Sequence, residues 1–162
     1  DATNRMNVTI DSADSEASLH AMLQKGVDNK QWEDLTREGD NVWYVTEHTH
    51  LQGRTQVVKI EHRALKDEKD NCVVYITSKA CELSKIKAGR ASSGLQNLLK
   101  LNFTETTNVC FYALDEENQM IVAKATLFMK YFDQDLLEFT IGQTGNFADW
   151  LEKEKYGDED EE

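Results

Sequence analysis

The sequence predicts an α+β fold: an antiparallel five-stranded sheet with helices, in the order α-β-β-β-α-β-β-α. Three observations predict it. Strand-like and helix-like stretches are grouped instead of alternating as β-α-β units, which argues against a parallel sheet. The connections between strand-like runs are short, and short connections join antiparallel neighbours. Stretches near both ends carry apolar residues at helical spacing. At 162 residues a single domain is expected. It is placed at 15–156, after a flexible Ser/Asp/Asn-rich lead-in over 1–14 and before an acidic tail over 157–162.

Leu19, Met22, Leu23 and Val27 recur at i, i+3, i+4 and i+8, one face of an amphipathic helix over 15–27. Ser12, Asp14 and Ser15 offer N-caps, and Glu16 suits the positive end of the helix. Trp32 and Leu35 are placed in a following turn, and Glu38-Gly-Asp-Asn41 reads as a break. Val42–Leu51 opens Val-Trp-Tyr-Val-Thr, β-branched and aromatic, as a strand should be. Gln52-Gly-Arg54 is a hairpin loop, and Thr55–Leu65 returns with Val57, Val58 and Ile60. A turn at Gly53 sets His62 opposite Tyr44 across this hairpin. After a charged turn at 66–71, Cys72–Leu83 opens Cys-Val-Val-Tyr-Ile, apolar on both faces like a central strand.

Residues 84–94 read as a loop with Gly89, Ser92, Ser93 and Gly94. Leu95, Leu98, Leu99 and Phe103 then mark a short second helix with one apolar stripe. Two strands follow, Asn108–Asp115 and Met120–Tyr131, joined by the turn residues Asp115-Glu-Glu-Asn118. The last helix starts at Asp133 or Gln134 and runs to Lys155, burying Leu136, Leu137, Ile141, Thr144, Phe147 or Ala148, Trp150 and Leu151. Gly142 and Gly145 either let it approach the sheet closely or bend it.

The charge narrows the partners. Thirty acidic side chains against 18 basic ones give a formal charge of −12, which repels phosphate backbones, so nucleic acid is not an expected partner. Lys85-Ile-Lys-Ala-Gly-Arg90 is a short basic cluster without interleaved aromatics and reads as a solvated loop. Five of the twelve excess charges lie in 158–162 and three in 1–16, leaving −4 on the body. Apolar runs of about five residues fall far short of the ~20 a membrane span needs, so no membrane insertion is expected. If Asp1 is a processed N-terminus the protein is periplasmic or secreted, and otherwise cytoplasmic.

Little chemistry is visible. His48-Thr-His50 puts two imidazoles on one face of a strand, the best metal-like pattern, but no third ligand is at hand. His62 is too far along the hairpin to join them. Cys72, Cys81 and Cys110 are an odd number, and the first two are spaced too far along one strand to pair; small buried hydrophobes is the simpler reading. Gly89-Arg-Ala-Ser-Ser-Gly94 lacks the Lys-Ser/Thr of a phosphate loop. Asn7-Val-Thr9 and Asn102-Phe-Thr104 match the glycosylation sequon, a pattern common by chance. No catalytic residue and no cofactor are expected. What remains is surface for a protein partner or a homodimer. Aromatic residues exceed what one helical stripe needs, and Trp43, Tyr44, Phe128 and Tyr131 are the candidate anchors.

Residues 98–155 carry a family resemblance. Leu98-Leu-Lys-Leu-Asn102, then Val109-Cys-Phe-Tyr-Ala-Leu-Asp-Glu-Glu-Asn-Gln-Met-Ile-Val122, then Phe147-Ala-Asp-Trp-Leu-Glu152 resembles the C-terminal half of YbjN-type bacterial proteins. Asn118 stands near the place where that family has a turn glycine, and Asn tolerates positive φ. The order of elements is similar to the type III secretion chaperone fold as well. The resemblance implies a bacterial, non-enzymatic protein-binding or regulatory module acting through an apolar or aromatic surface. The alternative is a type III secretion-type chaperone holding an unfolded effector segment; such a chaperone is cytoplasmic and dimeric. An alternative of another class is a metal-binding protein or enzyme using His48 and His50.

Overall fold

The edge of the sheet holds the element the sequence hides. A computed structural model describes residues 12–51, 53–65, 71–88, 91–104 and 109–156. Within them the sheet has six strands, not five: β1 (Glu33–Glu38), β2 (Val42–His48), β3 (Thr55–Ala64), β4 (Cys72–Glu82), β5 (Phe111–Asp115) and β6 (Met120–Phe128). They lie side by side as β1-β2-β3-β4-β6-β5, every neighbouring pair antiparallel. The additional strand, β1, reads Glu-Asp-Leu-Thr-Arg-Glu and buries only part of Leu35. A strand that buries so little has no alternating pattern to read. Its charges suit an edge, where they discourage pairing with another chain. Gly39, at φ +66, turns β1 into β2, so the expected break at 38–41 is a hairpin.

The helices are α1 (Ser12–Asp28), α2 (Leu83–Ala88), α3 (Ala91–Thr104) and α4 (Gln134–Tyr156). The order among the described residues is therefore α-β-β-β-β-α-α-β-β-α. α1 begins three residues before the expected start. α2 replaces part of the loop expected at 84–94: Leu83 and Ile86, three apart, are both buried, and the charged neighbours of Ile86 mask that spacing. The expected acidic tail, most of the lead-in and the sequon at Asn7 lie outside the described residues.

The core lies between one face of the sheet and the helices α1 and α4. Trp43, Val45, Val58, Ile60, Val74, Ile76, Ala123 and Ala125 point into it from the sheet, and Leu19, Leu23, Leu137, Ile141, Ala148 and Leu151 from the helices. Two close approaches set the spacing. Gly26 of α1 lies against the Trp32 ring, whose Nε1 donates to the Leu23 carbonyl at 3.0 Å. Gly142 and Gly145 let α4 settle onto β2 and β3, against Glu47 and Val58. Asp133 caps α4 by accepting from the Leu136 N–H at 2.9 Å.

The β2–β3 register differs from the expected one by three residues. Tyr44 pairs with Lys59, and His62 lies beyond Glu61, with its N–H on the Asn41 carbonyl at 2.8 Å. An odd shift moves a side chain to the opposite face. His62 accordingly points into the core, where Nε2 meets Ser15 Oγ of α1 at 2.8 Å. In the β5–β6 turn the left-handed residue is Gln119, at φ +54, not Asn118. Asn118 instead binds both oxygens of Asp115 through N and Nδ2.

Candidate protein-binding surfaces

The four aromatic candidates separate into three places. Trp43 is fully buried on the core face, its Nε1 donating to His20 Nδ1 at 3.0 Å and the Arg37 guanidinium 4.9 Å over its ring. It is unavailable to a partner: within β2 the burial alternates and Trp43 takes an inward position. Tyr44 is on the opposite face, partly covered; burial and then a hydrogen bond to Glu38 hold its phenol above its usual value. Phe128 and Tyr131 are both exposed, with ring centroids 6.5 Å apart and edge to face, across the turn that closes when the Tyr131 N–H meets the Phe128 carbonyl. These two form a small aromatic knob at the end of β6.

The histidines do not converge. His48 Nε2 lies 3.1 Å from Glu33 Oε1 at the sheet edge. His50 is exposed, and its backbone N–H binds Asn146 Oδ1 at 2.8 Å. Among the described residues no three His, Cys, Asp or Glu side chains come together to hold a metal ion. The three cysteines are unpaired and buried. Burial pushes the Cys81 and Cys110 thiols up to about 11, so neither supplies a thiolate near neutral pH.

A surface the sequence reading missed lies on α3 beside β5. Leu98 faces the core, whereas Leu95, Leu99 and Phe103 are exposed, Leu99 by 69% and Phe103 by 81%. Spacings of four residues put these three on one outward face of α3. On the neighbouring edge strand β5, Phe111 and Leu114 are also exposed and, three residues apart, point to opposite sides of the sheet. Asn102 joins the two elements. Its Nδ2 donates to the Tyr112 carbonyl at 3.0 Å and its Oδ1 accepts from the Tyr112 N–H at 2.8 Å. One side-chain amide thus takes the place of a neighbouring strand at the centre of this edge, and the sequon asparagine is committed to the fold. The signal was present in the sequence: α3 has more apolar residues than one stripe can use. Exposed apolar residues on contiguous elements mark interaction surfaces.

On the other side of the molecule, Asp149 of α4 is buried to 1% exposure and clamps the β2–β3 loop. It accepts from Arg54 Nε and from Thr49 Oγ1, each at 2.7 Å. No helix among the described residues is long and apolar enough to cross a membrane.

No family model matches the chain, and no curated protein matches it. Solved structures do. In the crystal structure of the ExsC–ExsE complex, one chain matches with a TM-score of 0.58 at 11% identity, over 84% of this chain and 92% of that one. In the structure of the HopA1–SchA chaperone–effector complex, one chain matches with a TM-score of 0.58 at 9% identity, over 85% of this chain and 95% of that one. At such identities the likeness is one of fold: the helices and antiparallel sheet of this chain are arranged as in those two chains.

Proposed function

We propose that this chain is a non-enzymatic protein-binding module of the secretion-chaperone kind, which holds a polypeptide segment on the apolar surface of α3 and β5. The observation that carries the reading is the outward row Leu95, Leu99 and Phe103 on a helix that Asn102 joins to an edge strand. Side chains of this size left in water at one place gain by being covered, at about 25 cal/mol per Å² of apolar area. The fold likeness to a chain of a chaperone–effector complex supports a protein as the partner. A second copy of this chain would cover the same row, and a YbjN-type regulatory module would use it for a regulatory contact. The chaperone reading carries with it a cytoplasmic site of action.

Solution mass by light scattering, together with binding of a labelled, permanently unfolded polypeptide such as reduced and alkylated lactalbumin, tests this. The wild-type chain is expected to dimerise or to bind the unfolded probe. Leu99→Glu/Phe103→Glu should abolish both while leaving the thermal midpoint and circular dichroism unchanged, because neither side chain is in the core. A strictly monomeric wild-type chain that ignores the probe overturns the reading.

A further inference from the structure

The face of the sheet that α1 and α4 leave bare has the opposite character to the rest of the chain. We propose that this face docks an acidic, extended segment of a partner protein. Lys59 on β3 pairs with Thr77 on β4, and Thr77 pairs with Lys124 on β6. The two lysines therefore flank Thr77 in one row, two strand spacings or about 10 Å apart. Lys79, two residues further along β4, points to the same side and completes a triangle of ammonium groups. None of the three makes an ion pair among the described residues.

The surroundings reinforce them. A hollow of about 1270 Å³ covers this face, and six of the chain's 18 basic residues line it against four of its 30 acidic ones. Pairs among the lining groups cancel on both sides: Glu61 holds Arg63 at 3.1 Å, Arg54 binds Asp149 and Glu152, and Asp115 accepts from Asn118, while Lys59, Lys79 and Lys124 stay outside these pairs. The local field is positive in a chain of formal charge −12, and complementarity calls for an anion. An extended peptide presents alternate side chains on one side every ~7 Å, a spacing commensurate with this lysine lattice. Tyr44, Val57 and Val122 on the same face offer apolar contact to residues between carboxylates. A nucleic acid fits less well. The central Tyr75 ring already carries the Arg63 guanidinium at 5.4 Å and the Lys124 ammonium at 4.5 Å, which compete with a base for it.

This surface meets the other only at β5, where Leu114 lines the hollow; Leu95, Leu99 and Phe103 of α3 do not, so each reading can fail alone. The test is fluorescence anisotropy of the full chain with a labelled peptide carrying glutamate at alternate positions and valine or serine between. Binding is expected at low salt and should weaken at high salt. Lys59→Glu/Lys124→Glu should weaken it roughly tenfold or more, with Lys59→Gln/Lys124→Gln intermediate. Lys25→Glu/Lys30→Glu, at the end of α1, should change nothing, and Leu99→Glu/Phe103→Glu should leave this binding intact. The proposal is overturned if the wild type does not bind, or if the folded reversal variant binds equally. It is also overturned if an oligothymidine binds more tightly than the peptide. Binding that appears only after truncation behind Tyr156 would put the chain's own acidic end on the face and overturn a partner in trans.

Discussion

Arg54 Nε donates to Asp149 Oδ1 at 2.7 Å, and this bond ties the β2–β3 hairpin to the C-terminal half of α4. Asp149 is the more deeply placed partner, while Arg54 retains 22% exposure and also reaches Glu152 at 3.5 Å. Removing the cation leaves a buried carboxylate with Thr49 alone. Arg54→Met is therefore expected to cost about 3 kcal/mol, the low end for a broken buried pair because water reaches the arginine. Arg54→Met/Asp149→Leu should recover much of that loss. Urea midpoints of the two variants decide the point, and a recovery that fails would mean the pair itself is net stabilising.

Gly26 has no room for a methyl group. A Cβ there would overlap the Trp32 ring, which is held in place by burial and by its bond to Leu23. Gly26→Ala gains about 1 kcal/mol in helix propensity, yet overpacking costs about 1–3 kcal/mol. The expected net result is a lower melting temperature, with a shifted Trp32 fluorescence. The same substitution at the exposed Gly39 should be destabilising for a different reason, its φ of +66, and should leave the fluorescence alone.

Asn102→Ala removes both hydrogen bonds to the Tyr112 backbone. A loss of about 1–3 kcal/mol is expected from the unpaired groups. Amide exchange locates it: the Tyr112 N–H should exchange much faster in the variant, while the Ile76 N–H inside the sheet keeps its protection. If Tyr112 exchange is unchanged, the asparagine does not seal this edge.

Stability should vary with pH through two groups of opposite sign. Burial lowers the pKa of His62, with Glu16 pulling weakly the other way. The unfolded chain then binds the extra proton below about 6.5, so stability falls as pH drops through that value. Burial raises Glu47 from 4.5 to about 7, and its Oε2 has no hydrogen-bond partner among the described residues. The folded state keeps a proton that the unfolded chain releases between 4.5 and about 7, so this contribution declines as pH rises through that window. Glu47→Gln should match the wild type below 4.5 and exceed it above 7. A thermal midpoint series across pH checks both slopes, and equal midpoints above 7 would contradict a buried Glu47 carboxylate.

Most of the sheet and both long helices were legible because their residues repeat at the period of the element. Leu19, Leu23 and Leu137, Ile141 mark helix faces, and Cys72-Val-Val-Tyr-Ile marks a strand in the middle of the sheet. What failed to show has physical causes. β1 buries one side chain in part, and α2 is too short to repeat. The hairpin register depended on where the chain turns. The Thr49 N–H meets the Arg54 carbonyl and β2 ends at His48, so that His62 lies in the core, three residues out of the expected pairing with Tyr44. Of the aromatic candidates, Phe128 and Tyr131 are outside and Trp43 is inside, since aromatic residues are favoured by cores and interfaces alike. The α3 row was read with Leu98 as one apolar stripe, because composition shows that a helix has apolar residues and not which of them the sheet can reach.

The strand order carries a kinetic consequence. β4, the longest strand, pairs with β6 and not with β5, and the register joins Glu82 to Met120 across the whole excursion of α2, α3 and β5. Closing so distant a contact is slow relative to local hairpins. During synthesis the β1–β4 meander can assemble as soon as it emerges, but one side of β4 then stays an open margin until Phe128 has left the ribosome. In that interval Val73, Val74 and Ile76 belong to a strand paired on one side only, and the nascent chain is at its most prone to wrong association.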